Sequence, residues 1–558
     1  MCADRIIPLD EPHLNAAVRA ANLKAVKTLI AKGRDLRAID NRGYTCLHIA
    51  AISPVRKKCL LFLLNKGKNI INEKTYEGET PLLVACENNN LVGVQMLLNA
   101  GCDPNTSNNE GITPLHYVCA VGNLRIASTL VSHGVLLDVQ DFNEYTPLHE
   151  AVSSESIEIC RLLLENGAKM TIKERHGRTP FDIACGQQNL PLVALLIGHH
   201  NDVNSRDVWQ ITPLMSATQS RSYEVTKFLL DNGANPNLYD NDRVLPIHLA
   251  AHSDNPLLLQ LLIDATSKEV VEDNCTRTRV KHFRSNRSCY RSLPCLAVDA
   301  QCVENLKLIL NSDYSIEVKT CPYVDPNKSP LFVSPFSLCV KKITQAGLNS
   351  LFLDAFLEAG YDINYKWDDQ TPVLTPLCAA LISRIGMSEC GRISILQKVI
   401  DAGVDVDHCG DSFETFHEIN CSYGCKISAT KQLPDVFKFA LMIGTWEIIF
   451  FLLKKSSVVE PYLLLESMRE YQKCNHHGLN VQHFEILITL FLWKISPCFS
   501  LEYPSAPLKS VPSLTTLTRD AVRKLLHQVT KQEPKQFFAR MEELKIPVVL
   551  KKFIKYES

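Results

Sequence analysis

"TPLHYVC", residues Thr113 to Cys119, has a counterpart in each neighbouring stretch of the chain. Before it stand "TCLHIAA" from Thr45 and "TPLLVAC" from Thr80. After it come "TPLHEAV" from Thr146, "TPFDIAC" from Thr179, "TPLMSAT" from Thr212 and "LPIHLAA" from Leu245. The first step is 35 residues and the next five are 33 each. A fixed period of this length means stacked copies of one small unit, none of which covers its apolar face alone. Within a copy, Thr is placed to cap a helix, and Pro takes the first helical position, where an N–H has no partner anyway. Ala50, Ala85 and Ala151 are small enough to let neighbouring helices approach. A second helix with paired leucines follows, as in "CRLLLENGA" from Cys160 and "TKFLLDNGA" from Thr226. Gly67, Gly101, Gly134, Gly167 and Gly233 then stand where a left-handed residue closes such a helix.

These residues resemble the ankyrin repeat, with its G-x-T-P-L-H-x-A-A helix start and L-L-x-x-G-A-D end. The resemblance implies an all-α fold, a solenoid of helix-turn-helix units joined by short hairpin-like turns. Regular repeats are expected over residues 1–265, with "LNAAVRAANLKAVKTLIAKGRDL" (Leu14 to Leu36) as a worn N-terminal cap. Degenerate repeats are expected over 266–500. They start with "LPCLAVDAQCVENLKLIL" at Leu293, "SPFSLCV" at Ser334, "TPLCAAL" at Thr375 and "LPDVFKFALMIGTWEIIFFLLKK" at Leu433. Pro294, Pro335 and Pro376 are 41 residues apart, so these units carry insertions.

The bulk numbers agree with a multi-unit folded chain: 558 residues, 46% hydrophobic and 21% charged, with a net charge of −1. That balance gives no global attraction to nucleic acid or to a membrane surface. The opening "MCADRIIPLDEPHLNAAV" lacks the apolar core of a signal peptide. Two apolar runs, Phe439 to Leu453 and Phe484 to Trp493, read as buried helices, since one carries Glu447 and the other is too short to span a membrane. The 21 cysteines, scattered through helical patterns, suit reduced thiols in the cytoplasm, with the nucleus also open.

After a linker at 501–513 the pattern changes. "SLTTLTRDAVRKLLHQV" from Ser513 repeats its apolar residues at helical spacing. From residue 508 onward eleven Lys and Arg face five Asp and Glu, a net of +6. Two segments here resemble the halves of a SOCS box, placing a small helical box at 514–558. The first half follows (S/T)-L-x-x-L-C-x-x-x-(apolar) with Ser513, Leu514, Leu517, Thr518 and Val522. The second follows L-P-L-P-x-x-L-x-x-Y-L with Leu544, Lys545, Ile546, Pro547, Leu550, Phe553 and Ile554. Thr518 replaces a Cys, Lys545 a Pro and Phe553 a Tyr. A polar hydroxyl left unpaired at Thr518 would weaken an apolar contact by around a kilocalorie.

Ankyrin repeats followed by such a box resemble the ankyrin-repeat and SOCS-box family. The resemblance implies a substrate receptor of a ubiquitin ligase. Leu514, Leu517, Thr518 and Val522 would bind elongin C, which comes with elongin B. Leu544, Ile546, Pro547, Leu550 and Phe553 would bind cullin-5, which carries a RING-box protein. Catalysis would lie elsewhere, so the chain would be no enzyme and need no cofactor. Two alternatives stay open: residues 508–558 as a plain cap on the last repeat, and an ankyrin scaffold with no ligase role.

Other constellations carry less. His408, Cys409, His417, Cys421 and Cys425 include zinc-type ligands, but only Cys421 and Cys425 have the close spacing a structural site uses, so no metal is expected. "RTRVKHFRSNRSCYR" (Arg277 to Arg291) hints at nucleic acid or an acidic protein, yet falls where the repeat step stretches and reads as a solvated loop. His116, His149 and His248 follow the signature Leu or Ile and read as scaffold.

The turns between units are expected to project as fingers toward an unidentified protein substrate. Their tips are Arg42, Glu77, Glu110, Asn143, His176, Trp209 and Asp242. Among them Arg42, Asn143, His176 and above all Trp209 are candidate contacts, because exposed Trp is frequent at binding hot spots. Trp209 folded against a neighbouring finger is the competing expectation. Finally, the ankyrin resemblance implies a site for an asparagine hydroxylase that prefers L-x₅-D-(apolar)-N. Leu196, Asp202, Val203 and Asn204 fit it, and Leu97, Asp103, Pro104 and Asn105 fit less closely. A structural turn role is the alternative for both asparagines.

Overall fold

The computed structural model describes residues 13–199, 202–271, 292–312, 314, 322–323, 331–346, 350–361, 363, 373–382, 389–407, 434–443 and 446–456. The chain forms two units, Met1–Lys281 and His282–Ser558.

In the first unit the repeat becomes eight helix pairs among the described residues. They are α1 (His13–Arg19) with α2 (Leu23–Ala31), α3 (Cys46–Ala51) with α4 (Lys57–Lys66), α5 (Pro81–Glu87) with α6 (Leu91–Asn99), and α7 (Pro114–Val121) with α8 (Leu124–Ser132). Then come α9 (Pro147–Ser153) with α10 (Ile157–Glu165), α11 (Pro180–Cys185) with α12 (Leu190–Ile197), α13 (Pro213–Gln219) with α14 (Tyr223–Asp231), and α15 (Pro246–Ala251) with α16 (Pro256–Ala265). First helices pack on first helices and second on second, giving two rows. Leu82, Leu115, Leu148 and Phe181 fill the seam from the first row; Leu97, Leu130, Leu163 and Leu196 fill it from the second, all buried. Each such side chain stabilises the stack by roughly 1.5–3 kcal/mol. Ala50, Ala85 and Ala151 are also fully buried, and a larger group at any of them would push the first helices apart.

The histidine of the signature is a splint between repeats. Thr45 N–H donates to His48 Nδ1 (3.2 Å), and the opposite ring nitrogen Nε2 meets the Glu79 carbonyl of the next repeat at 2.9 Å. His116 and His149 repeat the arrangement with the carbonyls of Tyr145 (3.1 Å) and Arg178 (3.4 Å). An acceptor at Nδ1 and a donor at Nε2 require the neutral ring. Burial accordingly pushes His48 and His149 down to about 4, and lowers His116.

One expectation needs correcting. Gly101, Gly134, Gly167 and Gly233 take the left-handed conformation, with φ between +74° and +91°, but Gly67 has φ −123°. Its repeat has the 35-residue step, and 3₁₀ turns at Pro54–Arg56 and Lys68–Ile70 take up the extra length, so the chain leaves α4 along another path.

Among its described residues the second unit has four helix pairs: Leu293–Asp299 with Val303–Leu310, Pro335–Ala346 with Leu351–Glu358, Pro376–Ile382 with Glu389–Asp401, and Asp435–Ile443 with Trp446–Lys455. Their first helices begin at or within two residues of Leu293, Ser334, Thr375 and Leu433. The departure from an all-helical chain is small. Leu331–Val333 pairs antiparallel with Pro322–Tyr323 and parallel with Val373–Leu374, and two of these strands lead directly into the helices at Pro335 and Pro376. The run from Phe439 forms two short helices, with Phe439, Ile448, Ile449 and Leu452 buried. Among the described residues no helix is long and apolar enough to cross a membrane.

Candidate functional site

Each finger of the first unit is built on a polar side chain at its base. Asp40 Oδ1 accepts from the N–H groups of Arg42 and Tyr44 at 3.0 and 2.9 Å. Asn108, Asp141, Glu174, Asp207 and Asp240 each accept from the residues two and four further on. Short Asp and Asn side chains favour such turns because they supply the acceptor a backbone turn would use. At the bend the chain needs positive φ. Gly78 has φ +80°, and a Cβ there would meet Asn109 N at 2.7 Å. Glu144 fills the equivalent slot at φ +64°.

Consecutive fingers are laced by one backbone hydrogen bond each. The N–H groups of Tyr76, Asn109, Phe142, Arg175, Val208 and Asn241 donate to the carbonyls of Arg42, Glu77, Glu110, Asn143, His176 and Trp209. Every candidate contact on the tips thus has its carbonyl anchored while its side chain stays outside. Arg42, Asn143 and His176 are exposed, each on a separate finger. Trp209 is 38% exposed, and its ring stacks on that of His176 one finger back. Contact with a neighbouring finger and exposure to solvent therefore both hold for Trp209, and the neighbour it leans on is His176.

Sequence reading missed the residue just before each tip. Tyr76, Phe142 and Val208 are 65%, 68% and 54% exposed. They recur every second repeat. Each is followed one finger on by Asn109, Arg175 or Asn241, whose side chains donate to the carbonyls of Tyr76 (2.9 Å), Phe142 (2.7 Å) and Val208 (3.2 Å). The 66-residue alternation was the available signal, hidden by attention to the 33-residue period. The result is an edge of apolar side chains on clamped backbone, an arrangement that loses little entropy on binding.

Asn105 and Asn204 have structural work. Asn105 Oδ1 accepts from Leu136 N–H at 2.8 Å, and Asn204 Oδ1 from Asn235 N–H at 2.7 Å, each tying one unit to the next. The described cysteines are buried thiols, and burial pushes Cys46, Cys102 and Cys160 up to about 12, which keeps them unreactive. Among the described residues no group of His, Cys, Asp and Glu is placed to hold a metal. Leu514, Leu517, Thr518, Val522, Leu544, Ile546, Pro547, Leu550 and Phe553 lie outside the described residues, as do the His408–Cys425 and Arg277–Arg291 stretches.

The ankyrin-repeats family model matches three times, at residues 14–108, 94–174 and 172–240. Over 93 residues, 16% of the chain, the sequence is 39% identical to Ankyrin repeat and SOCS box protein 3 of Homo sapiens. It is 36% identical to the Bos taurus protein of that name over the same length. The chain spans 18% of each of these relatives. A crystal structure of the ankyrin repeat domain of Bcl-3, a member of the IkappaB protein family, is 27% identical, with 40% of this chain and 99% of that chain covered and a TM-score of 0.36. The first unit is an array of ankyrin repeats, a protein-binding architecture.

Proposed function

We propose that the chain is the substrate-recognition subunit of an elongin B/C–cullin-5–RING ubiquitin ligase. The fingers of the first unit capture a protein, and residues 514–558 bind the ligase. One observation carries the reading: two motifs in SOCS-box order stand behind an ankyrin array that is itself similar to Ankyrin repeat and SOCS box protein 3. In this role the chain is a non-catalytic receptor in the cytoplasm. Leu514 and Leu517 enter an apolar groove of elongin C; Pro547 and Leu550 contact cullin-5. Asn204, and less favourably Asn105, are hydroxylation sites within the array.

The test is recovery of partners by the tagged full-length chain from cells. Wild type brings down elongins B and C with cullin-5. Pro547→Ala with Leu550→Ala keeps the elongins and loses cullin-5. Cullin-5 recovered equally by that variant would contradict the assignment of the second motif. A wild-type chain that recovers neither elongin would leave a plain ankyrin scaffold.

A further inference from the structure

The second helices of the first two repeats share an outer face that carries cations and no acids. Lys24 and Lys27 in α2, Lys32 at its C-cap, and Lys57, Lys58 and Lys66 in α4 are all exposed. Residues 13–34 and 41–72 contain no Asp or Glu, and neither does α6, which packs beside α4. The nearest acids along the chain are engaged or buried. Asp35 Oδ1 accepts from Arg37 N–H at 2.9 Å, Asp40 lies beneath its finger, and Glu73 pairs with Arg37 at 3.4 Å. Later second helices mix their charges: α10 carries Glu158 and Glu165 with Arg161, and α14 carries Glu224 and Asp231 with Lys227.

Contacts join α2 and α4 into one surface. Lys27 Nζ lies 5.6 Å from the centre of the Phe62 ring, bridging the two helices. At the start of α4 the 3₁₀ turn Pro54–Arg56 holds out Val55, which is 78% exposed, and Leu61 is 53% exposed further along. The turn is pinned from below. Arg56 is buried and donates from Nε to the Arg19 carbonyl and from Nη1 to the Ile49 carbonyl, both at 3.2 Å. A solenoid cap needs a polar outer face, but not one of a single sign. Lys24 and Lys27 are one turn apart and repel each other, and an apolar side chain held in water by a pinned turn gains nothing there. A broad anionic partner with an apolar interior relieves both.

We infer that this face docks on an anionic membrane surface, with the six lysines over the lipid headgroups and Val55 and Leu61 dipping between them. Two helices of nine and ten residues lying side by side present a plane of roughly 15 by 20 Å, which suits a surface better than a groove would. Lysine is the fitting cation, because its flexible stem lets the ammonium settle among headgroups. Nucleic acids and acidic peptides favour the bidentate fork of arginine, which neither helix carries. The attraction is local and coexists with a net charge of −1 for the whole chain. It is independent of the ligase reading, which concerns residues 514–558.

The experiment is co-sedimentation of the full-length chain with vesicles of phosphatidylcholine alone and with vesicles rich in phosphatidylserine. Binding is expected only to the second kind, and should fall as salt is raised. Lys24→Gln with Lys58→Gln should weaken it about tenfold, and Val55→Ser severalfold, with the melting temperature unchanged. Arg161→Gln with Lys227→Gln, exposed on α10 and α14, should leave it unchanged. Equal loss in both double variants would reduce the effect to bulk charge and overturn the inference, as would equal binding to both vesicles or binding to neither. Loss confined to Lys551→Gln with Lys552→Gln would assign the binding to the C-terminal basic region and overturn it too. Poly-glutamate or RNA bound more tightly than the vesicles, with the same dependence on Lys24 and Lys58, would make the occupant an acidic protein or a nucleic acid instead of a membrane.

Discussion

His176 and Trp209 lie ring on ring across adjacent fingers, with centroids 5.0 Å apart and planes inclined by 25°. The stack holds the indole in one orientation and still leaves its outer face in water. Trp209→Ala should therefore shift the melting temperature by no more than a few degrees, because little buried area is lost. Its effect on capture should be larger, roughly 2 kcal/mol of affinity for the bound protein. A large loss of stability with capture unchanged would make Trp209 a strut of the finger wall.

The splint histidines make the array acid-sensitive. Folding favours the neutral rings of His48 and His149, whose folded values of about 4 lie below the ordinary 6.5. Their contribution is complete above pH 6.5 and is withdrawn as pH falls towards 4, by about 3 kcal/mol per ring at the end of that window. Urea midpoints should fall steadily from pH 7 to pH 4.5. His149→Leu should be less stable at pH 7.5 and show a shallower decline. A slope identical to wild type would mean that this imidazole is not held neutral.

Gly78 and Glu144 occupy the same slot of their fingers with opposite suitability. Gly78→Ala places a Cβ against Asn109 N and forces an L residue to remain at φ +80°, so it should destabilise by about 2 kcal/mol. Glu144→Gly relieves the same conformation and should stabilise by up to about 1 kcal/mol. Chemical unfolding of the two variants reads the signs directly. Changes of the same sign would contradict the strained-bend account.

Asn204 has its side-chain carbonyl engaged with Asn235 of the next repeat, so a hydroxylase acting on it would need that contact to open. Peptide mass spectrometry of chain expressed with the hydroxylase should find one added oxygen at Asn204 and less at Asn105. An unmodified Asn204 under ample oxygen and iron would leave it only its structural role.

Much of this was legible in the amino-acid order, for a physical reason. A repeat must reuse its caps and its seam, so Thr113, Pro114, Leu115 and His116 recur where their neighbours' counterparts do. The splint role of His116 and His149 was legible only as "scaffold", since the carbonyl each one meets lies 29 residues away. Gly67 misled because local sequence looks the same whether or not extra residues follow. The Tyr117–Glu79 bond joins residues 38 apart on different repeats, and no local pattern announces it. Short strands such as Leu331–Val333 were hidden for the same reason, being fixed by pairing with a distant turn.

The central claim is that the chain's C-terminal motifs join the array to a ligase. Isothermal titration of purified elongin B/C complex into the full-length chain tests it most directly. The account predicts one-to-one binding that disappears in Leu514→Ala with Leu517→Ala, with the unfolding transition of the repeats unchanged. Undiminished binding by that variant, or no heat of binding from the wild type, would contradict it.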